Sequence, residues 1–311
     1  MSKKGKGLSK NEFSFKKILS SWQLYAMLLP GFIVMIIFHY VPMYGITMAF
    51  KDIRIGDSIF GGDWVGFKNF ETLFSNSRFW LILKNTLVIS LVRNFLLWPL
   101  PIIFALLIHN CSNRGLGKFV QTASYMPHLL SMVVIVSIIG LVFGRETGII
   151  NIIRNTMGMD PIYFEGEQKY FYLMYFGSDV WATLGSNAVV YIAALSAVDP
   201  QLIESAMIDG AGKIRRMWYI GIPTILPTII LLLIMSMGHT LSLGYEKALL
   251  MQNDLNLELS EILGTYVYKQ GIMASKFSYS SAVSLFENGI GLVLIVISNR
   301  LSKKFSDTSL F

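Results

Sequence analysis

Two groups of residues in this sequence have types and spacings that could do chemistry. One is a set of polar side chains embedded in long apolar blocks. The other is a charged, glycine-punctuated stretch lying between two such blocks. The first set comprises Asn85, Arg93, Asn94, Asp179, Ser186, Asn187, Tyr191, His239, Thr240, Glu287 and Asn288. Polar groups in hydrocarbon are costly, so each either serves function or is tied to a neighbour. The second alternative is substantial, because hydrogen bonds between membrane helices contribute about 0.6 kcal/mol on average. Arg93 with Asp179 or Glu287 could form an internal ion pair, or sit near the interface and reach water. Ser186 and His239 superficially suit an intramembrane serine protease, but Ser186 stands in GSNA, not in a Gly-x-Ser-Gly frame. His39, His109, His128 and His239 are scattered without paired-ligand spacing, which argues against a metal site. Cys111 is the single cysteine, so neither an intrachain disulfide nor a cysteine-based zinc site can form. No glycine-rich loop ending in Gly-Lys-Ser/Thr occurs, so a phosphate-cradling loop of that kind is missing.

Composition dictates which elements must hold these groups. Of 311 residues, 53% are hydrophobic and 14% charged, against about a quarter charged in soluble domains. A spanning helix needs about 20 mostly apolar residues. Six blocks reach that length: 24–49, 79–109, 119–143, 171–198, 222–243 and 279–298. Pro99 and Pro101 should kink the second block. The first block follows Lys3, Lys4, Lys6, Lys10, Lys16 and Lys17 but has no small-residue cleavage site near its end. It reads as a retained transmembrane helix, too long for a signal peptide. The expected class is therefore all-α integral membrane protein, with about six transmembrane helices.

Charge then orients the chain. Segments 1–23, 110–118, 199–221 and 299–311 hold 14 Lys and Arg against five acids, whereas the alternate segments hold ten basic and twelve acidic residues. The basic bias places both termini in the cytoplasm. It also accounts for the net charge of +7 without nucleic acid, since no basic and aromatic residues interleave on an exposed stretch. Within 144–170, Gly148, Ile149, Ile152, Ile153 and Met157 have helical spacing and suggest a short helix on the outer surface. Segment 244–278 carries Tyr245, Tyr266, Tyr268 and Phe277, which should pack it on the bundle.

The most informative stretch is DPQLIESAMIDGAGKIRRMWYIGIP, residues 199–223. Asp199 suits a helix N-cap and Pro200 a first helical turn. Leu202, Ile203, Ala206 and Met207 form an apolar stripe, Asp209-Gly210 breaks the helix, and a second short helix carries Ile214, Met217, Trp218 and Ile222. Pro223 marks entry into the next span. Such a pair of helices in a water-facing loop either lies on the membrane interface, with Lys213, Arg215 and Arg216 near lipid phosphates, or needs a protein partner to cover it.

The order Glu204, Ala206, Asp209, Gly210, Ala211 and Pro223 resembles the EAA loop of ABC importer permeases, a Glu-Ala-Ala, two residues, Asp-Gly-Ala and a hydrophobic stretch ending in Leu-Pro. Ser205, Met217 and Ile222 are mild departures from that pattern. Lys84-Asn85-Thr86-Leu87, Pro99-Leu100-Pro101, Tyr125-Met126-Pro127-His128, Tyr191-Ile192-Ala193-Ala194-Leu195 and Ser298-Asn299-Arg300-Leu301-Ser302 are similar to the polysaccharide permeases related to the LplB protein. Those belong to the maltose-type, binding-protein-dependent sugar importers. Gly185-Ser186 stands where many relatives have Gly-Trp, which bears on the substrate if that position lines the path.

The resemblance implies a type I ABC importer permease fold in the cell membrane. It implies a second homologous permease, an ABC ATPase dimer holding ATP and Mg, an extracytoplasmic sugar-binding protein and an oligosaccharide substrate, and no cofactor or catalysis in this chain. Glu204 would pair with a basic residue of the ATPase, Gly210 would give the turn, and the stripe the grip. Sugar hydroxyls and ring faces ask for amides, hydroxyls and aromatics, so Asn187, Tyr191, His239 and Asn288 are the expected path residues. The chain then divides into a basic segment 1–23, a permease domain 24–299 containing the coupling loop 199–223, and a tail 300–311. A secondary transporter is the remaining rival, but it should show repeats and broken helices, and neither is clear in the sequence.

Overall fold

The computed structural model describes residues 22–58 and 60–305, with side chains through Lys303. The lysines at 3 to 17 and the tail from 306 lie outside the described residues. Four helices are long and apolar enough to cross a membrane: Trp22–Phe50, Ser77–His109, Lys213–Gly238 and Phe277–Lys303. Two bent pairs bring the total to as many as six spans: Arg114–Leu129 with Met132–Phe143, and Gln168–Ser196 with Pro200–Ile208. A two-stranded ladder pairs Lys51 with Trp64 and Asp52 with Asp63.

Prolines shape several spans without ending them. Stretches of π-helix cover Ile36–Tyr40, Val92–Leu97 and Met217–Gly221. Each lies just ahead of a proline: Pro42, Pro99 and Pro223. A proline ring crowds the carbonyl four residues earlier and donates no N–H. Those carbonyls belong to Phe38, Phe95 and Tyr219, all inside the widened turns, so the helix continues past the proline. The association is local to these three, since Pro30 and Pro227 sit in regular α-helix.

Two expectations from the sequence need correction. The block 119–143 is not a straight span. Its two halves meet at 105°. Pro127 opens a short 3₁₀ turn, and Ser131 caps the next helix by accepting from the Val134 N–H at 3.4 Å. The second short helix of the 199–223 stretch is likewise not separate. Lys213 to Gly238 is one helix, so the fifth span starts before residue 222 and ends before residue 243.

The body packs around the second, fourth, fifth and sixth spans. Ile102, Ala105 and Leu106 meet Ala188, Tyr191, Leu195 and Ile225 in one core. Gly185 allows the fourth span to touch the third: a Cβ there would strike the Ser124 backbone. Gly291 does the same for the sixth span, where a Cβ would lie 2.5 Å from the Gly238 carbonyl oxygen. The first span is different. Its most apolar window is 0% buried, and only its last turns pack on the sixth span.

The segment after the fifth span, 239–276, folds back into the bundle as its tyrosines suggested. Leu241, Leu263 and Tyr266 join Phe79, Ile82 and Val283 in one core, and Ala248 and Ile262 join Ile89, Phe171 and Tyr175 in another. Asn85 donates to the Glu258 and Glu261 carbonyls at 2.6 and 3.1 Å, and Thr86 Oγ1 accepts from the Leu263 N–H at 2.9 Å. These two buried polar groups of the second span therefore serve architecture. The short helix expected in 144–170 is present as Ile149–Thr156. It exposes Ile149, Ile152 and Ile153, and it is pinned by buried Asn151, whose Oδ1 accepts from the Ile162 N–H at 2.8 Å.

Candidate functional site

Among the described residues, two places gather the chemistry singled out from the sequence. The first is a cleft of about 370 Å³ between the second, fourth and fifth spans, lined in part by Arg93, Asn94, Trp98, Asp179, Asn187, Tyr191, His239 and Thr240. Three of the four path residues expected from sequence thus converge. Asn187 and His239 are exposed to the cleft, whereas Tyr191 is 3% exposed and presents its ring edge-on to Trp98 at 6.4 Å. Asn288 does not line the cleft; its amide donates to the Ser284 carbonyl at 2.9 Å on its own helix. His239 owes its position to the early end of the fifth span, being the residue that caps that helix.

One wall of the cleft is ionic. Arg93 Nε lies 3.4 Å from Asp179 Oδ2, which settles the partner between the two acids considered from sequence. Asp179 Oδ1 lies 3.5 Å from Lys247 Nζ, so one carboxylate serves two cations. Lys247 comes from the folded-back segment, is 6% exposed, donates to the Tyr175 carbonyl at 2.6 Å and sits 4.4 Å over the Tyr175 ring. Burial pushes its ammonium down to about 8, with Asp179 pulling it part of the way back. Nothing in the sequence marks Lys247 itself, because its segment is expected to pack through tyrosines and a single lysine among them carries no pattern. Beside this group, Asn94 donates to Thr240 Oγ1 at 3.1 Å, and the Ser90 hydroxyl bonds the Thr240 carbonyl. Ser186 spends its hydroxyl on the Thr183 carbonyl at 2.9 Å, one turn back.

The second place is the stretch 199–223, at the other end of the fifth span. Asp199 caps Pro200–Ile208 by accepting from the Gln201 N–H at 2.9 Å. That helix turns 74° away from the fourth span. Gly210 has φ +77°, a left-handed conformation in which a side chain is strained. The turn closes when the Ala211 N–H donates to the Ala206 carbonyl at 2.8 Å, and Arg216 donates to the Ala211 carbonyl at 2.9 Å. Lys213 bonds the Ser112 hydroxyl, which ties the turn to the 110–113 loop. Glu204, Asp209, Gly210 and Pro223 are exposed, and Ala206 and Ala211 are half-buried. Leu202, Met207, Ile208, Ile214, Trp218 and Tyr219 are all more than half exposed. Glu204 has no ion pair among the described residues. An exposed apolar surface of this kind around an unpaired carboxylate asks for a cover, either lipid or protein.

Comparison with known proteins gives this geometry a context. Residues 98–307 match the family described as "Binding-protein-dependent transport system inner membrane component". The polygalacturonan/rhamnogalacturonan transport system permease protein YteP of Bacillus subtilis (strain 168) is 41% identical over 295 residues, covering 95% of this chain and 92% of that one. Protein LplB of the same organism is 38% identical over 288 residues, covering 93% and 91%. A chain in the crystal structure of a bacterial alginate ABC transporter, in complex with a periplasmic protein bound to alginate pentasaccharide, superposes with a TM-score of 0.87 at 33% identity. It covers 96% of this chain and all of that one. The bent third span is thus part of a permease fold, and the protease and secondary-transporter alternatives fall away. With a family match over most of its length and relatives of this similarity, the chain belongs to the inner-membrane permease subunits of binding-protein-dependent ABC transport systems.

Proposed function

We propose that this chain is one permease half of an ATP-driven importer of oligosaccharides. It would line the path with a second, homologous permease and receive sugar from an extracytoplasmic binding protein. Both termini and the 199–223 stretch would face the cytoplasm, as the basic bias of the segments around them indicates. The chain would carry no reaction of its own. ATP and Mg would be held by a partner ATPase dimer, whose closure moves the bundle.

The observation that carries this reading is the helix–turn–helix around Gly210, which projects exposed Leu202, Met207, Ile208 and Trp218 about an unpaired Glu204. In water that surface is costly, and a protein cleft is the natural cover. Glu204 would meet a basic residue there in a charge-assisted contact. The rotation of the second, fourth and fifth spans would then open the cleft of Asn187, Tyr191 and His239 to either side in turn. The oligosaccharide class rests on the relatives, which transport polygalacturonan, rhamnogalacturonan and alginate by name.

Purification of the chain from its native membrane in mild detergent, with mass spectrometry of its companions, tests this. A second six-span permease and an ATPase with a Gly-Lys-Ser/Thr loop should accompany it. Recovery of the chain alone or as a homo-oligomer across several detergents would return the loop to a membrane-surface role.

A further inference from the structure

We infer that the cavity between the 109–114 turn and the start of the fifth span is an anion site, built to hold a phosphate group of net negative charge. Neither the transported sugar nor the ATPase enters this inference.

Position comes first. The cavity measures about 490 Å³, and His109, Arg114, Lys213 and Arg216 line it together with Asn110 and Ser112. That volume falls within the range of small-molecule sites, about 300–1,000 Å³. The second span ends at His109, the bent third span begins at Arg114 and the fifth begins at Lys213. Basic side chains from three stretches of chain therefore meet where apolar helix gives way to charged residues. Lys213, Arg216, Met217 and Ile220 line the cavity at helical spacing, so one face of the fifth-span helix supplies them. Arg215, between the two cations in sequence, lies off that face and outside the lining.

Charge comes second. The lining holds three permanent cations and a histidine, and no Asp or Glu. The ion pairs among the described residues use Arg54, Arg78, Arg93, Lys169, Lys247 and Lys269, so Arg114, Lys213 and Arg216 enter none of them. Two of the three are fixed in place by neutral oxygens instead. Arg216 donates to the Ala211 carbonyl at 2.9 Å, and Lys213 bonds the Ser112 hydroxyl. A carbonyl or a hydroxyl orients a cation without cancelling its charge, so the cavity keeps a positive field. The basic bias that orients the chain accounts for Lys and Arg near this end of the spans. It does not require three of them to converge on one cavity. Basic pockets between membrane helices hold lipid headgroups, and charge-assisted bonds from guanidinium and ammonium groups hold phosphate whether a lipid or a soluble ester carries it. A phosphate bound here braces the 199–223 stretch against the end of the second span, because its walls come from both.

The test uses the full-length chain, stripped of lipid in neutral detergent. In one arm, phosphatidylglycerol or phosphatidylcholine with the same acyl chains is titrated, and retained lipid is counted by native mass spectrometry. In the other, inorganic phosphate is titrated against chloride at equal ionic strength, and the unfolding midpoint is followed. Each variant is compared with its own ligand-free state, which cancels differences in folding. The wild type should bind the anionic lipid or the phosphate in preference to its control. Lys213→Gln and Arg216→Gln should each weaken that binding about tenfold, the loss of one charge-assisted contact. Arg215→Gln removes the same charge from outside the cavity and should change it by about twofold or less. A response to phosphatidylglycerol alone makes the ligand a lipid headgroup, a response to phosphate alone makes it a free phosphate, and a response to both means that the site takes either. No preference in either arm would overturn the site. So would equal losses in Arg215→Gln and Arg216→Gln, which would reduce the effect to diffuse surface charge.

Discussion

The two ends of the fifth span follow opposite rules of construction. At one end the chain continues into 239–276, which buries Leu241, Ala248, Ile262, Leu263 and Tyr266 and answers the polar groups of the second span residue by residue. At the other end, the helix begins in a stretch that leaves Ile208, Ile214, Trp218 and Tyr219 in the open. The first end is complete within this chain. The second is left open among the described residues and is, on the proposed function, half of an interface. A side chain's neighbours therefore predict what its loss will do: stability should suffer at the packed end, and coupling at the open one.

The largest effect expected lies at the open end. Glu204→Lys reverses the charge of the contact, and Gly210→Pro demands a negative φ where the backbone holds +77°. Each should reduce uptake by about tenfold or more and let ATP hydrolysis proceed without transport. The amount of folded protein in the membrane should not change. Wild-type uptake in both variants would end the coupling role. At the packed end, Asp179→Asn leaves Arg93 and Lys247 facing each other without their carboxylate. Breaking a buried ion group costs about 3 kcal/mol, readable as a lower unfolding midpoint in detergent. Lys247→Met should cost much less, because it removes a cation that burial already disfavours. Equal midpoints for the two variants would show that Asp179 does not organise the cluster.

Glycines sharpen the contrast further. Gly185→Val would push a side chain into the Ser124 backbone and should destabilise by about 1–3 kcal/mol. Gly212, with nothing within 4 Å of a Cβ and an ordinary φ of −64°, should accept alanine within about 0.5 kcal/mol. A pH dependence is expected as well. Desolvation lowers Lys247 from 10.5 to about 8 on folding, so between those values the unfolded chain binds the additional proton. Stability therefore rises with pH through that window. The difference in midpoint between the wild type and Lys247→Met should shift in favour of the wild type from about pH 7 to about pH 10. A constant difference would mean that Lys247 is solvated in solution.

Much of this was legible in the residues. Runs of apolar residues place most of the spans to within a few positions, as with 79–109 against Ser77–His109. Asp199 and Gly210 announce their local structure because each acts within a residue or two of itself, Asp199 through its side-chain oxygen on the Gln201 N–H and Gly210 through its own φ. The bend at Leu130–Ser131 was not legible, since hydropathy is blind to direction: both halves are apolar enough to read as one span. The continuity of the fifth helix through Pro223 was hidden for a related reason. A proline reads as a boundary, and here a widened turn, which has no sequence signature of its own, lets the helix pass.

The sequence by itself determined the membrane class, the family resemblance and the chemistry of the 199–223 stretch, because these depend on composition and on contacts close along the chain. Only the tertiary structure decided which polar residues face a path and which hold the bundle together. Asn85 and Arg93 look alike as polar residues in one apolar block. One is closed off by Glu258 and Glu261, 173 and 176 residues away, and the other is left half-open beside Asp179. That difference arises when distant segments meet, and hydropathy along a single helix carries no record of it.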